Sequence, residues 1–393
     1  MRLLLVSLAL VVAASPLRGD EPKFKKHDIN PKSIYEGAGV FDVDNDGDLD
    51  IVSGAQWYEA PTWTPHKVRD VSRTGTYMNC FSTLPADMDG DGDLDFITCS
   101  FFEKNVGWVE NPGDKDKTWT YHQVDLPGSS EAAVYVDLTG DGKPEYLPNT
   151  VNTVCFFALE KDGKGLKLKK VDLGNAGAGH GVGTADVNRD GRLDIVAPRG
   201  WYECPDEPLT GTWTFHQDFD LGAMGIQTLG GDFDHDGDTD LVYGMGHNIG
   251  LYWAEQDKGD DGKPVWKKHL IDDFLSSVHT QVWADLDGDG NQNELITGKR
   301  VYAHEVEPGD VRAPMVAYFR FDPAKKEWTR HVIYKGEDAK NPPKEGRDAQ
   351  KDFAPGTAGT GLEMTPIDID KDGDIDLVCP GKSGLYLFEN LTK

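Results

Sequence analysis

DVDNDGDLDIVSGAQWYEAPTWTPH, residues 42–66, decides the fold. It opens on acids at alternate positions, Asp42, Asp44, Asp46 and Asp50, around Gly47. Carboxylates at these offsets offer hard oxygens to one cation, and the glycine permits the sharp turn between them. The start is like an EF-hand, but Ser53 stands at the twelfth position, where a helix–loop–helix calcium site needs Glu. The next segment, DIVSGA, is an apolar β-type run, so the loop joins two strands. Then come two aromatic signatures, WYE at Trp57 and W-x-x-H at Trp63.

The unit recurs. Acidic nine-residue loops start at Asp42, Asp87, Asp137, Asp186, Asp232, Asp285 and Asp368. WYE-like strands follow at Trp57, Trp108, Trp201, Tyr252 and Leu387, and W-x-x-H at Trp63, Trp119, Trp213, Trp266 and Trp328. The third unit has KLKKVDL instead, and the chain begins with a worn copy, FKKH at Phe24. Each unit therefore reads strand, acidic loop, strand, WYE strand, WxxH strand. Four strands per unit, seven times, with no helical period, predict an all-β, seven-bladed β-propeller. The phase predicts closure: FKKHDI supplies the fourth strand of the last unit. One propeller is expected over 20–393, with an insertion at 334–361 between units six and seven.

These repeats resemble the FG-GAP/VCBS family, the calcium-binding propeller type also found in integrin alpha chains. The resemblance runs from Phe24 to Asn390. The family serves many functions, so it implies the fold and not an activity.

The candidate calcium ligands are carboxylates and amides at loop positions one, three, five and nine. They are Asp42, Asp44, Asp46 and Asp50; Asp87, Asp89, Asp91 and Asp95; Asp137, Asp141 and Glu145; Asp186, Asn188, Asp190 and Asp194; Asp232, Asp234, Asp236 and Asp240; Asp285, Asp287, Asp289 and Glu294; Asp368, Asp370, Asp372 and Asp376. Loops one, two, five and seven have the fullest sets. Loop three carries Thr139 and Lys143, loop four Arg192, and loop six an extra residue before Glu294. The formal net charge is −28, and seven divalent ions would offset half of it. The acidity is thus largely a ligand inventory, and it argues against nucleic acid as a partner.

The N-terminal MRLLLVSLALVVAAS has one basic residue, an apolar run and then small residues. It reads as a secretory signal over 1–19, too short for a membrane span. No other apolar run reaches membrane length, so a secreted or periplasmic protein is expected. The five cysteines, with no CxxC pair and an odd count, are not a disulfide framework.

Six of the eleven histidines belong to the WxxH motif and its worn copy, where packing is the expected role, and His235 lies inside loop five. His180, His247, His279 and His304 remain. His180 and His279 each stand six residues before the first aspartate of a loop, where the innermost strand begins. Around the ring that register reads Glu36, Phe81, Glu131, His180, Ile226, His279 and Leu362, with Gln227 and Glu363 one residue further in. The connections carrying His247 and GKRVYAH (Lys299, Arg300, His304) reach the same face, opposite the calcium loops, and the 334–361 insertion is a candidate lid over it. Polar, titratable groups at a concave mouth mark a site. His180, His279, Glu131 and Glu36 are candidate ligands for a zinc-like divalent metal. His279, His180, Lys299, Arg300 and His304 are candidate catalytic residues, with Lys299 and Arg300 placed to hold an enolate.

SVHTQVWADLDGDG, WVENPG and the WxxH strands are also similar to the propeller part of aldos-2-ulose dehydratase. That resemblance implies a metal-containing sugar cleft at His279 and His180. Two functions stay open: a secreted propeller binding an extracellular glycan, sugar or protein, or a metal-dependent carbohydrate lyase/dehydratase acting on a keto-sugar. Trp57, Trp201 and Tyr202 belong to the repeat strand, so core packing is expected of them rather than sugar stacking.

Overall fold

The computed structural model describes residues 21–260, 262–304 and 306–392. The secretory signal expected at 1–19 lies outside them. Among the described residues, every regular element apart from one 3-10 turn, Ala349–Lys351, is a β-strand.

Five separate four-stranded antiparallel sheets and one eight-stranded sheet form a β-propeller arrangement, with a small hairpin, Arg73–Thr74 and Tyr77–Met78, beside them. Each four-stranded sheet follows the predicted order. In the first, Gly39–Phe41, Asp50–Ser53, Gln56–Glu59 and Thr64–Lys67 pair in sequence. The strand Phe24–Asn30 pairs with Gly384–Asn390, so the chain's start completes the last sheet.

The eight-stranded sheet departs from the expected separate units. Its halves, 182–216 and 226–276, are each a four-stranded meander, joined where Val182–Ala185 runs parallel to Ile226–Gly231. Gly183 permits that approach: a Cβ there would lie 2.0 Å from the Thr228 carbonyl oxygen.

The second strand of every unit is buried on both faces, as in Asp50–Ser53, Asp95–Cys99, Asp194–Ala197 and Asp376–Gly381. That is why these segments read as unbroken apolar runs rather than alternating ones. The aspartate that opens each of these four strands is the ninth loop residue, and it latches its loop. Asp50 accepts from the backbone N–H of Val43 and Ala60, Asp95 from Met88 and Asn111, Asp194 from Val187 and Cys204, Asp376 from Ile369 and Asn390. Each thus ties its loop to the end of the third strand.

WYE and WxxH prove to be one device. Trp57 pairs with His66 across strands three and four, their rings stacked at 4.4 Å, and Glu59 takes the His66 Nε2 at 2.7 Å. Trp108, His122 and Glu110 repeat this, as do Trp201, His216 and Glu203, and Trp253, His269 and Glu255. Trp57, Trp201 and Tyr202 are buried core residues, as expected.

Candidate functional site

The innermost strands bring their first residues to one mouth, and the backbone is irregular there. Glu131 lies where the strand Ser130–Val136 slips register between Ser130 and Ala133, with Ala132 at φ 54°. Gly181 follows His180 at φ 109°, and Ser277 precedes His279 at φ 54°. A register slip at Glu131 and left-handed backbone beside His180 and His279 re-aim side chains, and the three meet at this mouth. Gly246 makes room: a Cβ there would lie 2.6 Å from the His180 ring.

Glu131, His180, His247 and His279 form a cluster in which one donor atom of each lies within 4.8 Å of the others. His180 Nε2 is 3.2 Å from Glu131 Oε2, and His279 Nε2 is 3.6 Å from Glu131 Oε1. Every Nδ1 is committed elsewhere. His180 Nδ1 lies 2.7 Å from the Met224 carbonyl, His279 Nδ1 3.1 Å from the Ser277 carbonyl, and His247 Nδ1 2.9 Å from Glu307 Oε1. The three Nε2 atoms are thereby left for the cluster. A ring nitrogen held by a carbonyl or carboxylate is the usual outer support of a metal-binding imidazole.

Burial alone would neutralise Glu131, but the His180 hydrogen bond and the positive charges of His180 and Arg300 hold its carboxyl well below the usual range. His180 is likewise raised against the effect of burial by its bond to Glu131. His279, fully buried, is lowered well below the ordinary imidazole range by desolvation and by Arg300, which leaves it neutral.

A cavity of about 180 Å³ opens on the cluster. Glu131, His180, His247 and His304 line it, and Tyr77, Phe81, Phe101, Phe102 and Val151 supply an apolar wall. Tyr77 Oη lies 2.6 Å from both His304 Nδ1 and the Ala303 carbonyl, so the hairpin tethers the segment that carries His304. His304 stacks on His247 at 4.9 Å. A larger groove, about 570 Å³, runs beside Asp44, Trp57 and Trp119 on the loop side and has no histidine in its lining.

Three expectations are corrected. Glu36 does not join the cluster: both its oxygens are taken by Arg300, from Nε at 2.7 Å and Nη2 at 3.0 Å. Arg300 is buried, and its Nη1 donates to Glu131 Oε1 at 3.2 Å, so its guanidinium is spent on two carboxylates and does not line the cavity. Lys299 is buried and points elsewhere, its ammonium donating to the carbonyls of Arg300 and Val301 with Asp310, Arg312 and Asp338 as charged neighbours. Desolvation brings its pKa down to about 8.

The 334–361 insertion is strapped down beside the mouth. Ala349 and Phe353 pack with Val301 and Tyr302, Asp352 accepts from Tyr302 Oη, and Gln350 donates to the carbonyls of Lys32 and Ser33. The register argument found His180, His279 and Glu131. It placed His247 on the right face only, and it missed Glu307, Tyr77, Phe101 and Phe102, which no repeat position marks.

On the opposite side, Asp42, Asp44 and Asp50 converge, as do Asp87, Asp89 and Asp95, and Asp232, Asp234 and Asp236. Some loops carry protein cations: Arg320 reaches Asp287 and Glu294 in loop six, and Lys326 bridges Asp234 and Glu255 at loop five.

A family model described as FG-GAP-like repeat matches residues 87–148 and 137–197. The chain carries FG-GAP-like repeats. No curated protein matches the chain. Among solved structures it is similar to the rhamnogalacturonan lyase YesW (12% identity, 95% of this chain and 74% of that one, TM-score 0.45). It is similar to the exotype rhamnogalacturonan lyase YesX (13%, 95% and 75%, TM-score 0.46). A third is an Agrocybe aegerita lectin described as recognising non-reducing terminal N-acetylglucosamine (15%, 92% and 91%, TM-score 0.45).

Proposed function

We propose that this protein is an exported, calcium-stabilised propeller that binds a sugar at the channel mouth around one transition-metal ion. In this reading it is a single seven-bladed ring over 20–393, the eight-stranded sheet counting as two blades, and the leader at 1–19 directs it to a secreted or periplasmic location. Calcium in the acidic loops relieves clustered carboxylates. Burial pushes Asp50 and Asp194 up to about 6, and Asp95, Asp240 and Asp376 to about 7, so these loops gain much from a cation. Among the described residues no helix is long and apolar enough to cross a membrane.

One observation carries the site reading. Three imidazoles have their Nδ1 atoms at acceptors; His180 and His279 hold Nε2 3.2 and 3.6 Å from Glu131, and His247 offers a donor atom within 4.8 Å of the others. A nitrogen-rich set of this kind suits zinc or a neighbour of zinc rather than calcium. The aromatic wall suits the C–H face of a sugar ring, with its hydroxyls turned toward His180, His247 and Glu131.

A second reading, a carbon–oxygen lyase acting on a keto-sugar, is favoured by His304. Its Nδ1 is held by Tyr77, which leaves Nε2 to take a proton from a ring lying on the aromatic wall. The ion, when bound, would supply Lewis acidity to a sugar oxygen.

The test is metal analysis of the purified protein after mild calcium-selective chelation, followed by binding and turnover assays with neutral and keto-sugars. About one retained transition metal, with sugar binding that depends on it, is expected. Metal-independent binding, or none, rejects the site. Turnover separates the lyase from the binding module.

A further inference from the structure

Arg300 joins two carboxylates that the chain keeps far apart. Its Nε and Nη2 grip both oxygens of Glu36, 264 residues away, and its Nη1 reaches Oε1 of Glu131. A bidentate fork of this type fixes the guanidinium plane. Lys382 Nζ, 3.8 Å from Glu36 Oε2, adds to the hold, and a parallel backbone bridge between Arg300 and Thr360 anchors the residue itself. All three side chains are buried.

The consequence falls on Glu131. One oxygen, Oε1, accepts from the guanidinium and lies 3.6 Å from His279 Nε2. The other, Oε2, faces His180 Nε2 at 3.2 Å. A free carboxylate could turn and give both oxygens to an ion; the Arg300 bond restrains that turn and leaves Oε2 as the oxygen without a guanidinium partner. We propose that Arg300, locked by Glu36, is a positioning residue that makes Glu131 a one-oxygen ligand of the mouth ion and so fixes that ion's coordination. The proposal rests on the metal reading above. It gives Arg300 and Glu36 a task that neither charge balance nor packing would require: the fork's plane decides which carboxylate oxygen is offered. It also favours small ions that accept one oxygen beside imidazoles over calcium, which readily takes two oxygens from one carboxylate.

The probe is cobalt(II), added to the full-length protein after mild chelation, with its visible absorption as the readout. Wild type should show a d–d spectrum that His180→Ala abolishes; a wild type without a His180-dependent spectrum sinks the metal reading itself. Given that spectrum, Glu36→Gln and Arg300→Met should each weaken cobalt binding 10- to 100-fold, the usual cost of losing outer support, and change the band shape. Arg300→Lys, which keeps the charge and loses the fork, should not rescue either property. Unchanged affinity and spectrum in Glu36→Gln, tighter binding in Arg300→Met, or full rescue by lysine would overturn the positioning role while leaving the metal site standing. Retention of the calcium-induced rise in melting temperature shows that each variant is folded; if Arg300→Met fails to fold, Glu36→Gln decides alone.

Discussion

His180 Nε2 lies 3.2 Å from Glu131 Oε2 while Nδ1 of the same ring meets the Met224 carbonyl at 2.7 Å. Both nitrogens face acceptors, and the ring satisfies both when it carries two protons. Two ligands of one tetrahedral zinc stand about 3.3 Å apart, given bonds of roughly 2.0 Å. The pair is therefore spaced so that an ion can replace the shared proton with little movement. His180→Ala and His279→Ala should each remove the retained transition metal, with affinity down at least about 100-fold, while calcium content stays the same. Elemental analysis after mild chelation checks this, and full metal content in either variant refutes the ligand set.

Chelation should also destabilise the whole fold. A loop site held at a hundredfold over its dissociation constant adds about 2.7 kcal/mol to stability. EDTA should lower the melting temperature by many degrees and calcium should restore it. A melting temperature indifferent to EDTA would show that the acidic loops hold no structural ion.

Glu363 gives a pH signature. It is buried, one oxygen accepts the Thr83 N–H at 2.8 Å, the other has no partner, and desolvation raises its pKa well above 4.5. Below pH 4.5 folded and unfolded chains both hold the proton. Above it only the unfolded chain ionises, so folding loses about 1.4 kcal/mol per pH unit until the folded pKa is reached. Glu363→Gln, of the same shape and uncharged, should melt with wild type at pH 4 and increasingly above it toward pH 7. A gap that does not widen with pH would mean that Glu363 is ionised in the folded protein.

Two aromatic substitutions should separate scaffold from site. Trp57, 1% exposed and stacked on His66, is core, and Trp57→Ala should cost about 3–5 kcal/mol of stability. Phe102, 37% exposed, lines the cavity. Phe102→Ala should leave the melting temperature nearly unchanged and weaken sugar binding about tenfold, near 1.4 kcal/mol. Calorimetry with a bound sugar and a thermal melt distinguish the two; equal sugar affinity in Phe102→Ala moves the ligand off this wall.

Much of the fold was legible because the repeat is local. A loop, its glycine, the buried strand and the WYE–WxxH pair all fall within about fifty residues and recur, so their roles can be read by comparing copies. His180 and His279 stood out for the same reason: they fall outside the WxxH motif and share one register, six residues before a loop. His279 is thus no part of the acidic loop that follows it. Glu36 occupies the same register as Glu131 and was grouped with it. What separates them is Arg300, which reaches both from positions 264 and 169 residues away.

The sequence by itself determined the all-β repeat, the closing strand, the acidic loops and the face on which the leftover histidines gather, since each follows from period-two strands and fixed spacing. Only the tertiary structure decided which of those polar groups meet. It paired Glu36 with Arg300, turned Lys299 away, brought His247 and Glu307 in, and laid the Tyr77 hairpin beside the mouth. These are contacts between units, set by bulges and by packing across the ring, and no periodicity along one chain encodes a distance across it.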